Sequence, residues 1–236
     1  LGATNAAAFE MYALCAGAPI AYKAARDMMR LDPRLNHVLL VSASRENDLI
    51  DFSNGRTRFM FNFGAGGGAM LFRRGLARNI VLESAIRTDG TLADTVVMRP
   101  AEEGVALLPG EMGTLHGRLD VQNAEYMADR LGEVSLGRFV EVITDAVEHS
   151  GHTLADVRFL GITHMKASFY NEILAAVGLT PEQSVYLQDY GHIQSVDQVL
   201  ALELGLAQGK IQPGDLIVLA GAGTGYTWSA TAIRWG

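Results

Sequence analysis

The chain has 236 residues, 49% hydrophobic and 19% charged, with a formal net charge of −7. That core-rich composition excludes a disordered chain, and 19 basic against 26 acidic residues with no basic stripe excludes a nucleic-acid footprint. A single cysteine, Cys15, excludes an intramolecular disulfide and fits a reducing, cytoplasmic setting.

At roughly 150 residues per domain, the length predicts one large domain or two fused halves. NAAAFEMY (5–12) reads as a buried strand, and Cys15 to about Met29 as a helix. HVLLVSAS (37–44) reads as a fully buried strand. RFMFNFGAGGGAMLF (58–72) reads as a strand, a glycine passage and a second strand, and NIVLESAIRT (79–88) and TVVMRP (95–100) continue the strand pattern. Residues 101–115, rich in Gly, Pro and Glu, form the best internal boundary, dividing residues 1–110 from 111–236.

RLDVQ (118–122) is a short strand, followed by a helix over 124–150 with a break at Gly137 and a stop at Gly151. LADVRFLGITH (154–164) contains a strand, ASFYNEILAAVGL (167–179) an amphipathic helix ended by Gly178, SVYLQD (184–189) a strand and 193–211 mostly helix. The uncharged run Leu216–Ile233 touches membrane-helix length, but GAGTG at 221–225 makes it two strands joined by a glycine turn. Strands alternating with helices give an α/β fold with buried sheets. No basic segment precedes an apolar run, so no signal peptide is read. Leu1 and the domain-interior character of LGATNAAAF suggest part of a longer polypeptide.

Three residues stand where such a fold builds sites. Cys15 opens a helix, where the macrodipole and end amides favour a thiolate and an adjacent oxyanion; the alternative is a buried Cys acting as a small hydrophobe. His164 and His192 each follow an apolar run and precede a helix, the edge at which α/β sheets place ligands. His37, His116, His149 and His152 lie at polar edges with no evident role. The blocks FGAGGGAM (63–70) and GAGTGYTW (221–228) are not dinucleotide loops: an apolar strand, not a helix, follows the first. Close backbone packing suits the first, and a backbone N–H donor at Thr224 or a simple hairpin turn the second. No metal-ligand spacing is present.

The order AAAFEMYALCAGA, LLVSAS, FNFGAGGGAML, GITHMKASF, DYGHIQS and GKIQPGDLIVLAGAGTGYTWSATAIRW resembles the thiolase-like superfamily, and within it the 3-oxoacyl-acyl carrier protein synthase III group. The resemblance covers essentially the whole chain. It implies a five-layered αβαβα fold of two similar halves. The first, 1–110, would carry the nucleophile and would be incomplete, lacking the family's segment ahead of the nucleophile strand. The second, 111–236, would carry the catalytic histidines.

Carried over by position, Cys15 is the acyl-accepting nucleophile and His164 the catalytic histidine. His192 stands where the group has Asn, giving a Cys-His-His site, and the Thr224 amide joins that of Cys15 in an oxyanion hole. Arg56 and Arg58 fall near the coenzyme A contact region, although a solvated basic pair accounts for them equally. Met165-Lys166-Ala167 replaces the group's Gln-Ala-Asn, and Ala65 its Asp.

The implied function is a condensing enzyme. Acyl-Cys15 would be joined by Claisen condensation to a malonyl- or acyl-thioester, in fatty acid, polyketide or other secondary metabolite synthesis. His192→Ala would then spare acyl-Cys15 formation and impair carbon–carbon bond formation. The alternatives are a non-condensing acyltransferase to an oxygen or nitrogen acceptor, and a non-catalytic partner subunit of a ketosynthase dimer. Substrates would be thioesters of coenzyme A or acyl carrier protein, with no tightly bound cofactor and no metal. The expected assembly is a homodimer, or a heterodimer with a related subunit or with the missing N-terminal segment, without nucleic acid or membrane.

Overall fold

The computed structural model of the protein describes residues 2–100 and 117–236. The boundary at 101–115, the division at 110/111 and His116 lie outside the described residues. A 3-10 turn, Leu14–Ala16, runs directly into α1, Gly17–Leu31. Ala18, Tyr22, Ala25 and Met29 recur at helical spacing and are all buried, which fixes the inward face of α1. Asp32 leaves the helical conformation, and Pro33 forbids continuation.

β1 (His37–Ser44) and β2 (Gly66–Arg73) form an antiparallel pair. β3 (Ile80–Thr88), β6 (Val157–Ile162), β7 (Leu216–Gly223) and β8 (Thr227–Arg234) form the main sheet in the order β3-β8-β7-β6, with β6 and β7 parallel. β4 (Val96–Pro100) pairs with β5 (Gly117–Val121). The remaining helices are α2 (Ala124–Glu148), α3 (Ala167–Ala176) and α4 (Val196–Ala207).

Period-two alternation divides the main sheet between two cores. Leu160, Ile162, Val218, Ala220, Ala230 and Ala232 pack towards α2 and α3. Phe159, Ile217, Leu219 and Ile233 pack towards α1, α4 and the inner side of β1–β2, where Val38, Leu40, Met70 and Phe72 lie. The described layers are therefore α2 with α3, the main sheet, α1 with α4, and the β1–β2 pair. The parallel pair β6–β7 is covered on both faces, which explains why these strands read as continuous apolar runs.

Several sequence expectations change. Residues 5–12 form no strand: no neighbouring strand among the described residues pairs with their backbone, and Phe9, Met11 and Tyr12 are exposed. β1 exists but is not fully buried. Leu39, Val41 and Leu71 are exposed on its outer face, with Leu39 opposite Leu71. Residues 58–60 belong to a 3-10 turn, Gly55–Met60, held at its start by the Asn54 side chain accepting from the Arg56 amide. α2 passes through Gly137 unbroken: a helix-interior glycine costs about 1 kcal/mol, which the buried Phe139, Val142, Ile143 and Val147 outweigh. Residues 184–189 make only an isolated bridge, Leu160 with Ser184, because the edge of β6 is met there by side chains rather than by a ladder.

Candidate active site

Cys15 sits at the start of α1 and is buried at 7% exposure. Leu14, just before it, has φ of +48°, a left-handed conformation that turns the chain sharply into the helix. The thiol points at the second sequence candidate, since Cys15 Sγ lies 2.8 Å from His192 Nε2.

His192 is placed by backbone contacts to the glycine passage. Its N–H donates to Asn62 O at 2.9 Å and its carbonyl accepts from Gly64 N at 2.8 Å, while the Phe63 ring meets the imidazole edge-on. The approach is so close that a Cβ on Gly191, where φ is +72°, would lie 2.3 Å from Asn62 O. Close backbone packing is thus what this glycine-rich passage does.

The other imidazole nitrogen, Nδ1, is 2.6 Å from Asp197 Oδ2. Asp197 is fully buried in the first turn of α4. Its carboxylate also accepts from His164 N at 2.7 Å and from Ile193 N at 2.8 Å. Burial opposes a charge on His192, but the Cys15 sulfur and the Asp197 carboxylate outweigh it and hold the imidazole well above its usual pKa. The imidazole thus stands between the sulfur on Nε2 and the carboxylate on Nδ1.

His164 lies just beyond the C-terminal end of β6, its ring tilted 40° against that of Tyr186 with centroids 4.8 Å apart. Burial, aided by the neighbouring His192, pushes its pKa down against the pull of Asp197, which favours the neutral imidazole. Its Nδ1 has no hydrogen-bond partner among the described residues. Cys15 and His192 are in direct contact; His164 joins them through the shared Asp197.

Thr224 occupies the turn between β7 and β8. The preceding Gly223 brings this turn against the nucleophile: a Cβ there would lie 3.0 Å from Cys15 N and 2.5 Å from Ala13 O. Arg56 is occupied by a bidentate ion pair with Asp120, both contacts at 3.0 Å, which with Asn54 pulls that carboxyl down to about 2. Arg58 is exposed and makes no ion pair among the described residues. Among the described residues no cluster could hold a metal ion, and no helix is long and apolar enough to cross a membrane.

Asp197 and its neighbour Gln198 were not legible as site residues from the motifs alone. The available signal was an acid opening an otherwise apolar helix, VDQVLALELGLA, five positions after His192.

The frame is that of the thiolase-like α/β proteins, with a buried thiol, two imidazoles and a carboxylate gathered between α1, α4 and the loop after β6. The chain belongs to the 3-oxoacyl-[acyl-carrier-protein] synthase III family. Residues 9–90 match the model for 3-oxoacyl-[acyl-carrier-protein (ACP)] synthase III, and residues 147–235 match that for its C-terminal part. A beta-ketoacyl-[acyl-carrier-protein] synthase III of Agrobacterium fabrum is 27% identical over 241 residues, spanning 100% of this chain and 70% of the relative. Among solved structures, the 3-oxoacyl-(acyl carrier protein) synthase III of Pseudomonas aeruginosa superposes with a TM-score of 0.81 at 21% identity, over 99% of this chain and 69% of that one. The acyltransferase ChlB3 superposes with a TM-score of 0.72 at 22% identity, over 98% of this chain and 68% of that one. The family is one of acyl-transferring condensing enzymes, but the fold itself is shared by the synthase and the acyltransferase and does not select the acceptor.

Proposed function

We propose that the protein is a thioester-dependent acyltransferase that carries its acyl group on Cys15 and passes it to a hydroxyl or amine acceptor. The observation that carries this reading is the unbroken contact from Cys15 Sγ through His192 to Asp197, at 2.8 and 2.6 Å. A carboxylate on Nδ1 fixes the tautomer and raises the basicity of Nε2, the arrangement of a general base rather than of a neutral hydrogen-bond donor.

In the first step the Cys15 sulfur attacks the thioester carbonyl carbon, and the oxyanion is met by the amides of Cys15 and Thr224. Collapse breaks the bond to the donor thiol, whose sulfur takes the proton from His192 Nε2. His192 is then neutral. In the second step Nε2 takes the proton of the acceptor hydroxyl or amine as that atom attacks the acyl-Cys15 carbonyl. Collapse of the second tetrahedral species returns the electron pair to Cys15 Sγ and restores the starting pair. The donor is an acyl thioester of coenzyme A or acyl carrier protein, whose pantetheine arm suits a thiol set back behind the surface.

The neutral His164 favours a second reading, Claisen condensation. An uncharged imidazole N–H can hold the enolate oxygen released by decarboxylation of a malonyl thioester. Both readings share acyl-Cys15 and differ only in the acceptor.

The test is intact-mass analysis after incubation with a panel of acyl thioesters, with Cys15→Ala alongside. An adduct on the wild type alone, discharged by alcohols or amines and without carbon dioxide release from malonyl thioesters, supports simple transfer. Carbon dioxide release with a β-ketoacyl product supports condensation. No adduct with any thioester overturns both.

A further inference from the structure

The carbonyls of three successive residues around the nucleophile each accept a hydrogen bond from a distant side chain. Ser195 Oγ donates to Leu14 O at 2.5 Å, Gln198 Nε2 to Cys15 O at 3.3 Å and Ser229 Oγ to Ala16 O at 2.8 Å. Gln198 is the informative member. In an α-helix the Cys15 carbonyl would accept the N–H of the residue four positions on. That residue is Pro19, which has no N–H. Cys15 lies in the 3-10 turn ahead of α1, so Pro19 offers its carbonyl no donor four positions on, and Gln198 supplies one from its side chain.

The amide of Gln198 reaches further. Nε2 also lies 2.8 Å from Thr163 Oγ1, next to His164, and 3.1 Å from Ala220 O on β7, so its two hydrogens are shared among three acceptors. Gly221 makes the approach possible, since a Cβ there would lie 2.5 Å from Gln198 Nε2 and 2.6 Å from Cys15 O. Gln198 is fully buried and its Oε1 has no partner among the described residues. A buried acceptor left unpaired is costly and uncommon, a cost set against the bonds its amide hydrogens make. With carbonyls on the Nε2 side, only this amide orientation is consistent.

We propose that Gln198 is a positioning residue that replaces the missing Pro19 N–H and holds the left-handed Leu14–Cys15 turn, so that the nucleophile's amide N–H stays aimed at the thioester oxygen. This rests on acyl transfer through Cys15 and adds the device that keeps its oxyanion-binding amide in place.

The proposal predicts a rescue. Gln198→Leu should slow acylation of Cys15 by a thioester about 10- to 100-fold, the loss expected when an oxyanion donor is displaced. Alkylation of Cys15 by iodoacetamide, which develops no oxyanion, should change by no more than about 2-fold. Adding Pro19→Ala returns a backbone N–H to the Cys15 carbonyl and should recover most of the acylation rate. Equal loss of both reactions in Gln198→Leu, or no recovery in the double variant, overturns the proposal.

Amide hydrogen exchange at Cys15 and Ala16 provides a readout free of catalysis. It should speed up in Gln198→Leu and slow again in the double variant, and unchanged exchange overturns the proposal on its own. A wild type that no thioester acylates overturns the acyl-transfer reading, and the exchange measurement still decides the role of Gln198.

Discussion

Asp197 Oδ2 holds His192 by Nδ1 at 2.6 Å, and that one contact decides which imidazole nitrogen faces the thiol. Asp197→Asn keeps the shape but removes the charge and admits the wrong tautomer. We expect thioester acylation of Cys15 to fall by at least about 100-fold, the lower range for a general base, while the chain stays folded. Single-turnover acylation followed by mass spectrometry, with circular dichroism as the folding control, measures this. A loss under about 3-fold would remove Asp197 from the mechanism.

The contact between Cys15 and His192 also bears on an expectation drawn from sequence. Were His192 only an enolate donor, His192→Ala would spare acyl-Cys15 formation. With Nε2 at 2.8 Å from Sγ, the first step should suffer as well. Burst amplitude and burst rate with an acyl thioester separate the two steps, and a wild-type burst rate in His192→Ala would show that the imidazole acts only later.

His192 also ties stability to pH. Its folded pKa lies above the unfolded value of about 6.5, raised by Cys15 and Asp197 against the cost of burial. Its contribution is fully present below the unfolded pKa and is lost as pH rises through the folded one. The gap in thermal midpoint between wild type and His192→Gln should therefore narrow as pH is raised from 6.5. His164, with its pKa pushed down, has the opposite sign and destabilises as pH falls below 6.5. A gap that widens with rising pH would contradict the assigned protonation of His192.

Arg56 and Arg58 should separate in a donor-affinity assay. Arg56 is committed to Asp120, whereas Arg58 is exposed and unpaired among the described residues. For a coenzyme A thioester, Arg58→Met should raise KM more than Arg56→Met does. The Arg56 variant should instead raise the pKa of Asp120 from about 2 and bring acid unfolding to higher pH. A larger KM effect at Arg56 would mean that the ion pair opens for the donor.

Gly191→Ala tests the contact that seats His192. A Cβ at φ of +72°, 2.3 Å from Asn62 O, combines left-handed strain with a backbone clash. We expect a loss of about 2 kcal/mol or more in urea unfolding, together with slower acylation. A neutral substitution would show that the 62–64 passage can retreat without cost.

The strands of the main sheet were legible as continuous apolar runs ending at a polar or glycine residue, and His164 follows one of them; Cys15 and His192 were singled out behind runs that form no strand. The strand expected at 5–12 failed for a reason no local pattern carries: an apolar segment becomes a strand only when another strand offers its backbone groups. The same holds at 184–189, where the Ser184 hydroxyl, bonded to Leu160 O, takes the place of a ladder. Asp197 escaped because helical periodicity treats an acid among Val, Leu and Ala as a solvent-facing residue. Only the tertiary placement of His192 shows that it points inward. Gln198 escaped for a related reason, since the donor missing at Pro19 is visible in the sequence but its replacement lies far along the chain.

The first turn of α4 sets the site by angular phase. Asp197 and Gln198 are neighbours about 100° apart around the helix axis, one facing the imidazole and the other the nucleophile turn, while Ala201 and Leu202 in the next turn lock that rotation into the core. Inserting or deleting one residue between His192 and Asp197 would swing both side chains away with every residue type unchanged. The four-residue gap in His192-x-x-x-x-Asp197-Gln198 is thus as diagnostic as the residues that flank it. It offers a short string with which to sort relatives of this fold by the base they carry.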